Sequence, residues 1–241
     1  MNVNIRSYGE GLPLVFFHGW GFDSRIWLPL VPQLSRDYQI ILIDLPGFGH
    51  TPIMEWELFK KFLLEQLPKH FALIGWSMGG LYAIRLAVEE PDRVYKLINI
   101  ASSPRFLYTD LWPGVSPEVF KKFYKQLFAK PESTLKEFME LNGLTSADRL
   151  KHLPERLPSP EGLQSGLNIL ESWDLREELS NFGNPAYFMF GRLDPIVPVK
   201  TMNSMQLNYP DFNYLLFKRA AHIPFLSHMD LFIEEFRGFM K

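Results

Sequence analysis

Residues 71–80 read Phe-Ala-Leu-Ile-Gly-Trp-Ser-Met-Gly-Gly, an unbroken apolar run ending in Gly75-Trp76-Ser77-Met78-Gly79-Gly80. Beyond it, Leu81, Ile84 and Val88 recur at helical spacing and predict a helix over 78–90. A strand that turns sharply into a helix is the setting in which G-x-S-x-G lifts a serine onto an exposed corner. A residue on such a corner takes a positive φ, which crowds its neighbours. Gly75 and Gly79 relieve that crowding, and Gly80 allows close helix packing.

Working outward, similar short apolar runs end in turn residues at Leu14 to His18, Ile40 to Asp44, Tyr95 to Ala101, Ala186 to Gly191 and Tyr214 to Phe217. Several are continuous rather than alternating, as in strands covered on both faces of a parallel sheet. Helix-length segments between them imply right-handed crossovers and an α/β sheet. The alternation stops between Arg105 and about Leu170, where Lys-rich amphipathic stretches and Pro113, Pro117, Pro131, Pro154, Pro158 and Pro160 replace apolar strands. The expected organisation is therefore a core of residues 1–104 and 171–241 with a helical lid of residues 105–170. Such a lid would cover the C-terminal edge of the sheet, where open α/β sheets place their ligands.

Composition narrows the function. With 25 Lys+Arg against 27 Asp+Glu the net charge is -2, so no global field draws the chain to nucleic acid or an anionic bilayer. Zero cysteines exclude disulfides, thiolate metal sites and a cysteine nucleophile. Met1 to Gly11 lacks the apolar core of a secretory signal. No stretch approaches the roughly 18 apolar residues of a membrane span. The expectation is a soluble cytoplasmic protein without metal, nucleotide or flavin.

A serine hydroxyl is a poor nucleophile at neutral pH; it needs an adjacent base, and the base a third group that fixes its tautomer. On an α/β-hydrolase fold these follow in the order serine, acid, histidine. Asp194 lies just past the run Ala186 to Gly191, in Gly191-Arg192-Leu193-Asp194-Pro195, and His222 just past Tyr214 to Phe217, in Ala220-Ala221-His222-Ile223-Pro224. Both fall at C-terminal ends of strands, the edge where Ser77 emerges. His228 reads as part of a helix cap, His70 and His152 as surface residues, and His50 as a loop residue. Asp44 precedes the serine and leads into a Pro-Gly turn, so it reads as a loop anchor; Asp174 and Asp211 read as cap or surface carboxylates. The oxyanion of a tetrahedral intermediate requires two donors. They are expected to be the backbone N–H groups of Met78 and of Trp20, the latter in His18-Gly19-Trp20-Gly21.

The motifs HGWG, DLPGFG, GWSMGG, GRLDPIVP and AAHIPF, in this order, resemble the α/β-hydrolase superfamily. Within it the chain closely resembles the pimeloyl-acyl-carrier-protein methyl ester esterases of biotin synthesis. The resemblance rests on Leu45-Pro46-Gly47-Phe48-Gly49, Ala101-Ser102-Ser103-Pro104, Trp112-Pro113-Gly114, Gly166-Leu167-Asn168-Ile169-Leu170 with Asp174-Leu175-Arg176, and Lys218-Arg219-Ala220-Ala221-His222 running to His228. It implies a mostly parallel sheet flanked by helices, with a helical lid inserted after the sixth strand. It further implies hydrolysis of the methyl ester capping a seven-carbon acyl chain on acyl carrier protein. Ser77 would be acylated with release of methanol, and water activated by His222 would free the carboxylate. By the same resemblance Trp20 and Trp76 flank the ester and Phe138 lines the acyl channel. That family's lid grips the acidic carrier with arginines, which the matching region around Ser133 to Glu140 lacks. Lys121, Lys122 and Lys125 are the candidate substitutes, with Lys130, Lys136, Arg149, Lys151 and Arg156 beyond them.

Two other readings use the same residues. One is a broad-specificity carboxylesterase or carbon-carbon bond hydrolase of the same fold. The other is a ligand-sensing receptor, against which the complete set of nucleophile, base, acid and oxyanion loop argues.

Overall fold

The computed structural model describes residues 2–141, 154 and 156–241. Seven strands form one sheet: β1 (Ile5–Tyr8), β2 (Leu12–Phe17), β3 (Tyr38–Ile43), β4 (Phe71–Trp76), β5 (Val94–Ile100), β6 (Ala186–Gly191) and β7 (Asn213–Phe217). Their order is β1-β3-β2-β4-β5-β6-β7. Only the β1–β3 pair is antiparallel. All six strands read from the sequence are present. β4 and β6 are buried along their whole lengths, which is why both lack alternation.

β1 escaped the sequence reading because Ile-Arg-Ser-Tyr is a half-exposed edge strand with no apolar run. Its register, Ile5 against Ile43 to Tyr8 against Ile40, closes one side of the sheet. Just before it, Asn4 is fixed by its N–H to Thr51 Oγ1 (2.9 Å) and by its side chain to Asp44 Oδ2 (2.7 Å). The antiparallel edge is therefore one strand, and the insertion follows the fifth strand, β5, not the sixth as expected.

The helices of the core are α1 (Val31–Leu34), α2 (Trp56–Gln66) and α3 (Met78–Glu89). The insertion carries α4 (Pro117–Ala129), α5 (Pro131–Leu141) and α6 (Pro160–Ser172). The chain then returns through α7 (Arg176–Ser180), α8 (Val199–Asn208), α9 (Pro224–Ser227) and α10 (Met229–Met240). α6 continues two residues past the anticipated boundary at 170. Ser116 and Ser159 cap α4 and α6 by accepting from the N–H groups of Val119 and Gly162, each followed by a proline in the first turn.

The two ends of the insertion meet. Arg105 pairs with Asp174 at 2.6 Å, Arg176 holds the same carboxylate at 2.8 Å, and the Leu175 N–H donates to Pro104 O. A second clamp lies at the end of α6, where the Arg85 guanidinium of α3 lies over the rings of both Trp56 and Trp173, 4.9 and 4.3 Å from their centroids. Beneath, Phe16, Phe17, Phe22, Trp27, Phe59, Phe71 and Phe188 are fully buried. Each contributes roughly 1.5–3 kcal/mol of transfer free energy, which makes the sheet a rigid base for the site.

Candidate active site

Parallel β2 and β4 end level with each other, Phe17 beside Gly75. The loop after β2 and the turn after β4 therefore emerge together. Ser77 takes φ 55 and ψ -122, a conformation that costs a non-glycine residue about 1–3 kcal/mol. A side chain on Gly75 would strike Gly79 O, and one on Gly79 would strike Phe17 O and His18 O, each at 2.4 Å. Only glycine at both positions lets α3 start this close to β2.

The strained turn is held from β5. The Ser77 N–H donates to Ile100 O (2.9 Å), Ser102 Oγ donates to Ser77 O (2.7 Å), and Asn99 Nδ2 donates to Gly80 O (2.8 Å). Ala101, with φ 46, is the other non-glycine residue at positive φ among the described residues, and it turns the chain so that Ser102 faces Ser77. Sequence reasoning missed this support; the Ser-Ser-Pro stretch carried it only as a family mark.

Ser77, His222 and Asp194 come together as expected. Ser77 Oγ lies 2.9 Å from His222 Nε2, and His222 Nδ1 lies 2.7 Å from Asp194 Oδ2. The network assigns the proton to Nδ1, which donates to the carboxylate and leaves Nε2 to accept from the serine. Asp194 is fixed in turn by the N–H groups of Ile196 (2.8 Å) and Val197 (3.0 Å), both donating to Oδ1. His222 is fully buried and the serine and aspartate nearly so. His228 stands at the start of α10 and His70 and His50 are exposed; His152, Arg149 and Lys151 lie outside the described residues. Asp44 anchors its loop, accepting from the N–H groups of Ser24 and His50 and from Asn4 Nδ2.

Gly19 passes close to the nucleophile: a side chain there would come within 3.2 Å of Ser77 Cβ and 2.8 Å of the Trp76 ring. The next N–H, that of Trp20, and the N–H of Met78 at the start of α3 both have no backbone acceptor among the described residues. His18 secures this loop, a role the sequence reading did not give it. Its Nδ1 lies 2.8 Å from Gly19 O and its Nε2 accepts the Leu45 N–H at 3.0 Å. Burial lowers its pKa below the ordinary histidine value and outweighs the opposing pull of Asp44.

Trp20 and Trp76 diverge. The Trp20 ring lies edge-on to Phe138 and Phe123, at 4.9 and 5.4 Å, and its indole N–H donates to Leu163 O of α6. The resemblance puts the Trp76 ring beside the ester; in the structure the ring packs into the core. It is fully buried against Phe22 and Phe225, and its indole N–H donates to His222 O (2.8 Å). An indole that reaches under the histidine loop for that carbonyl cannot also line the space above it; it positions His222 instead.

Above Ser77 lies a cavity of about 250 Å³ walled by Trp20, Phe120, Phe123, Phe138, Leu167 and Leu170, among others. Ser77 supplies the one polar side chain on this wall among the described residues. Lys121, Lys122 and Lys125 are exposed on the side of α4 away from Phe120 and Phe123, and none has an acidic partner among the described residues. No group of three or more His, Cys, Asp or Glu able to hold a metal occurs among the described residues. No helix there is long and apolar enough to cross a membrane.

A hydroxyl that can pass its proton to a buried imidazole, itself oriented by a carboxylate, attacks acyl carbons; this is the chemistry of serine hydrolases. Residues 14–235 match the alpha/beta hydrolase family. Over its full length the chain is 58% identical to the whole of a pimeloyl-[acyl-carrier protein] methyl ester esterase of Legionella pneumophila (strain Corby). It is 36% identical, again over both full lengths, to one of Aeromonas hydrophila. Among solved structures, an esterase from Exiguobacterium antarcticum superposes with a TM-score of 0.89 at 22% identity, covering 98% of this chain and 94% of that one. The chain thus belongs to the alpha/beta hydrolase family and, within it, to the pimeloyl-[acyl-carrier protein] methyl ester esterases. It is a carboxylic ester hydrolase.

Proposed function

We propose that this enzyme hydrolyses the methyl ester of pimeloyl-acyl carrier protein in biotin biosynthesis, with Ser77, His222 and Asp194 as its catalytic residues. The observation that carries this reading is the full-length likeness at 58% identity combined with the buried relay on Ser77. Ser77 Oγ attacks the ester carbonyl while His222 Nε2 takes its proton. The oxyanion accepts hydrogen bonds from the N–H groups of Trp20 and Met78, the second aided by the positive end of the α3 dipole. His222 returns the proton to the departing methoxide, and methanol leaves. A water activated by the same nitrogen then attacks the acyl-enzyme and frees the carboxylate. Asp194 keeps the Nδ1 proton and orients the ring throughout.

The apolar cavity suits a polymethylene chain, each buried CH₂ of which contributes about 0.8 kcal/mol. Its walls suit the neutral ester end and offer no charged partner to the carboxylate formed, which favours product departure. The helices α4, α5 and α6 act as the lid over this chamber. The carrier, acting in the cytoplasm with this enzyme, meets Lys121, Lys122 and Lys125 on the lid's outer face. Growth of a biotin-requiring strain lacking its own methyl ester esterase, when supplied with this chain, tests the reading. Growth with the natural chain and none with Ser77→Ala is the expected result; no growth with a well-expressed natural chain overturns it.

A further inference from the structure

The exposed cations beside the cavity mouth are not confined to the lid. Among the residues that wall the cavity, Val119 of α4 and Pro195 of the loop after β6 are both exposed, so both stand on its rim. Lys121 and Lys122 follow Val119 on one bank. On the other, the Arg192 N–H donates to Phe217 O and the Leu193 N–H to Ala220 O. Those bonds lay the turn after β6 against the turn after β7 and bring Arg192 beside Lys218 and Arg219. All three side chains are exposed, and none has a carboxylate partner among the described residues. Three like charges on two apposed turns repel one another, while the chain as a whole carries a net charge of -2. Leu193, next to Arg192 in the chain, exposes 62% of its surface.

We propose that Arg192, Lys218 and Arg219 form a docking surface for the acidic face of the carrier protein, on the hydrolase core and opposite the lid lysines. This rests on the carrier-bound substrate argued above. A carrier whose acyl arm passes between Val119 and Pro195 covers both banks, and an acidic face satisfies cations that nothing else neutralises. Arginine at two of the three positions fits bidentate pairing with carboxylates. Because this bank belongs to the sheet, it holds the carrier in register whatever the lid does.

The test uses full-length enzyme with Arg192→Glu, Lys218→Glu and Arg219→Glu combined, and a second variant with glutamine at the same positions. Three substrates are compared: methyl pimeloyl-carrier protein, the coenzyme A thioester of the same acyl group, and p-nitrophenyl acetate. The expected result is a fall in kcat/KM on the carrier substrate of roughly tenfold or more for the glutamate variant, less for glutamine, expressed mainly in KM and shrinking as salt is raised. p-Nitrophenyl acetate reports that the fold and relay survive. Equal loss on all three substrates in both variants assigns these residues to the structure of the site and overturns the proposal. Equal loss on the carrier and coenzyme A substrates alone places the contact on the arm's phosphate and overturns it as well. No loss on the carrier substrate overturns it directly. A natural enzyme that cleaves the acetate but not the carrier-bound ester defeats the functional reading itself, and the docking surface with it.

Discussion

Ser102 Oγ donates a 2.7 Å hydrogen bond to the carbonyl oxygen of Ser77, so the turn after β5 grips the backbone of that serine. The bond is buried and reaches a residue held at positive φ. Ser102→Ala removes that side-chain donor while the Gly80 and Leu81 N–H groups still reach the carbonyl, at a cost of about 0.5–1.5 kcal/mol shared between stability and turnover. The expected outcome on a p-nitrophenyl ester is a roughly tenfold fall in kcat with KM little changed, since the loss acts on the placement of Ser77 rather than on the cavity. A rise in KM at constant kcat would contradict this.

His18 gives the fold a dependence on pH. Its pKa is lowered in the folded state, chiefly by burial, so below about pH 6.5 the unfolded chain takes up a proton that the folded chain refuses. Above that pH both states are neutral at this residue and it contributes no slope. Below it, stability falls with pH until the lowered folded pKa is reached, by at most about 1.4 kcal/mol per pH unit. Thermal melts at pH 7.5, 6.5 and 5.5 should show the unfolding midpoint dropping over the acidic interval. His18→Gln should be less stable at pH 7.5 yet lose less on acidification; an identical acid slope in both proteins would refute the assignment.

Phe138 stands edge-on to Trp20 and also meets Phe123 at 5.9 Å, which makes it part of the cavity wall. Phe138→Ala removes a ring that a seven-carbon chain would touch and an acetyl group would not. KM for the carrier-bound ester should rise about tenfold, equivalent to about 1.4 kcal/mol of lost contact, while p-nitrophenyl acetate is turned over nearly as before. A series of acyl lengths would check this: the effect should grow with length, and one independent of length would exclude the channel.

Much of this architecture was legible in the sequence, for specific reasons. β4 and β6 are buried on both faces, so their apolar runs needed no alternation to be recognised. Ser77, Asp194 and His222 were legible because each lies in the turn that follows a strand. β1 was not, since a four-residue edge strand with an exposed serine carries no periodic signal. His18 and Ser102 escaped because their work is done through backbone carbonyls and an N–H brought near only by folding. The packing of Trp76 was not legible because the sequence shows which residue adjoins Ser77 but not which face of β4 its ring takes. The depth to which its indole runs toward His222 is a property of packing.

On the outer face of α4, Lys121, Lys122 and Lys125 are exposed without acidic partners among the described residues. If they steer an acidic carrier, Lys121→Glu, Lys122→Glu and Lys125→Glu together should lower kcat/KM for the carrier substrate by roughly tenfold at low salt and flatten its salt dependence. Charges screened beyond about 8 Å at physiological salt make the change visible in ordinary buffers. Stopped-flow association over a range of salt concentrations is the direct measurement, and an unchanged association rate would remove these lysines from the docking surface.

On the proposed mechanism Ser77 cleaves the methyl ester of the carrier-bound acyl chain. Methanol released from methyl pimeloyl-carrier protein, counted alongside the intact mass of the carrier, tests it in one experiment. The expected result is one methanol per carrier with the thioester intact for the natural enzyme, and a rate lower by roughly a thousandfold or more for Ser77→Ala, because the relay acts as a unit. Methanol release by Ser77→Ala within tenfold of the natural rate, or loss of the acyl group from the carrier in place of methanol, would contradict it.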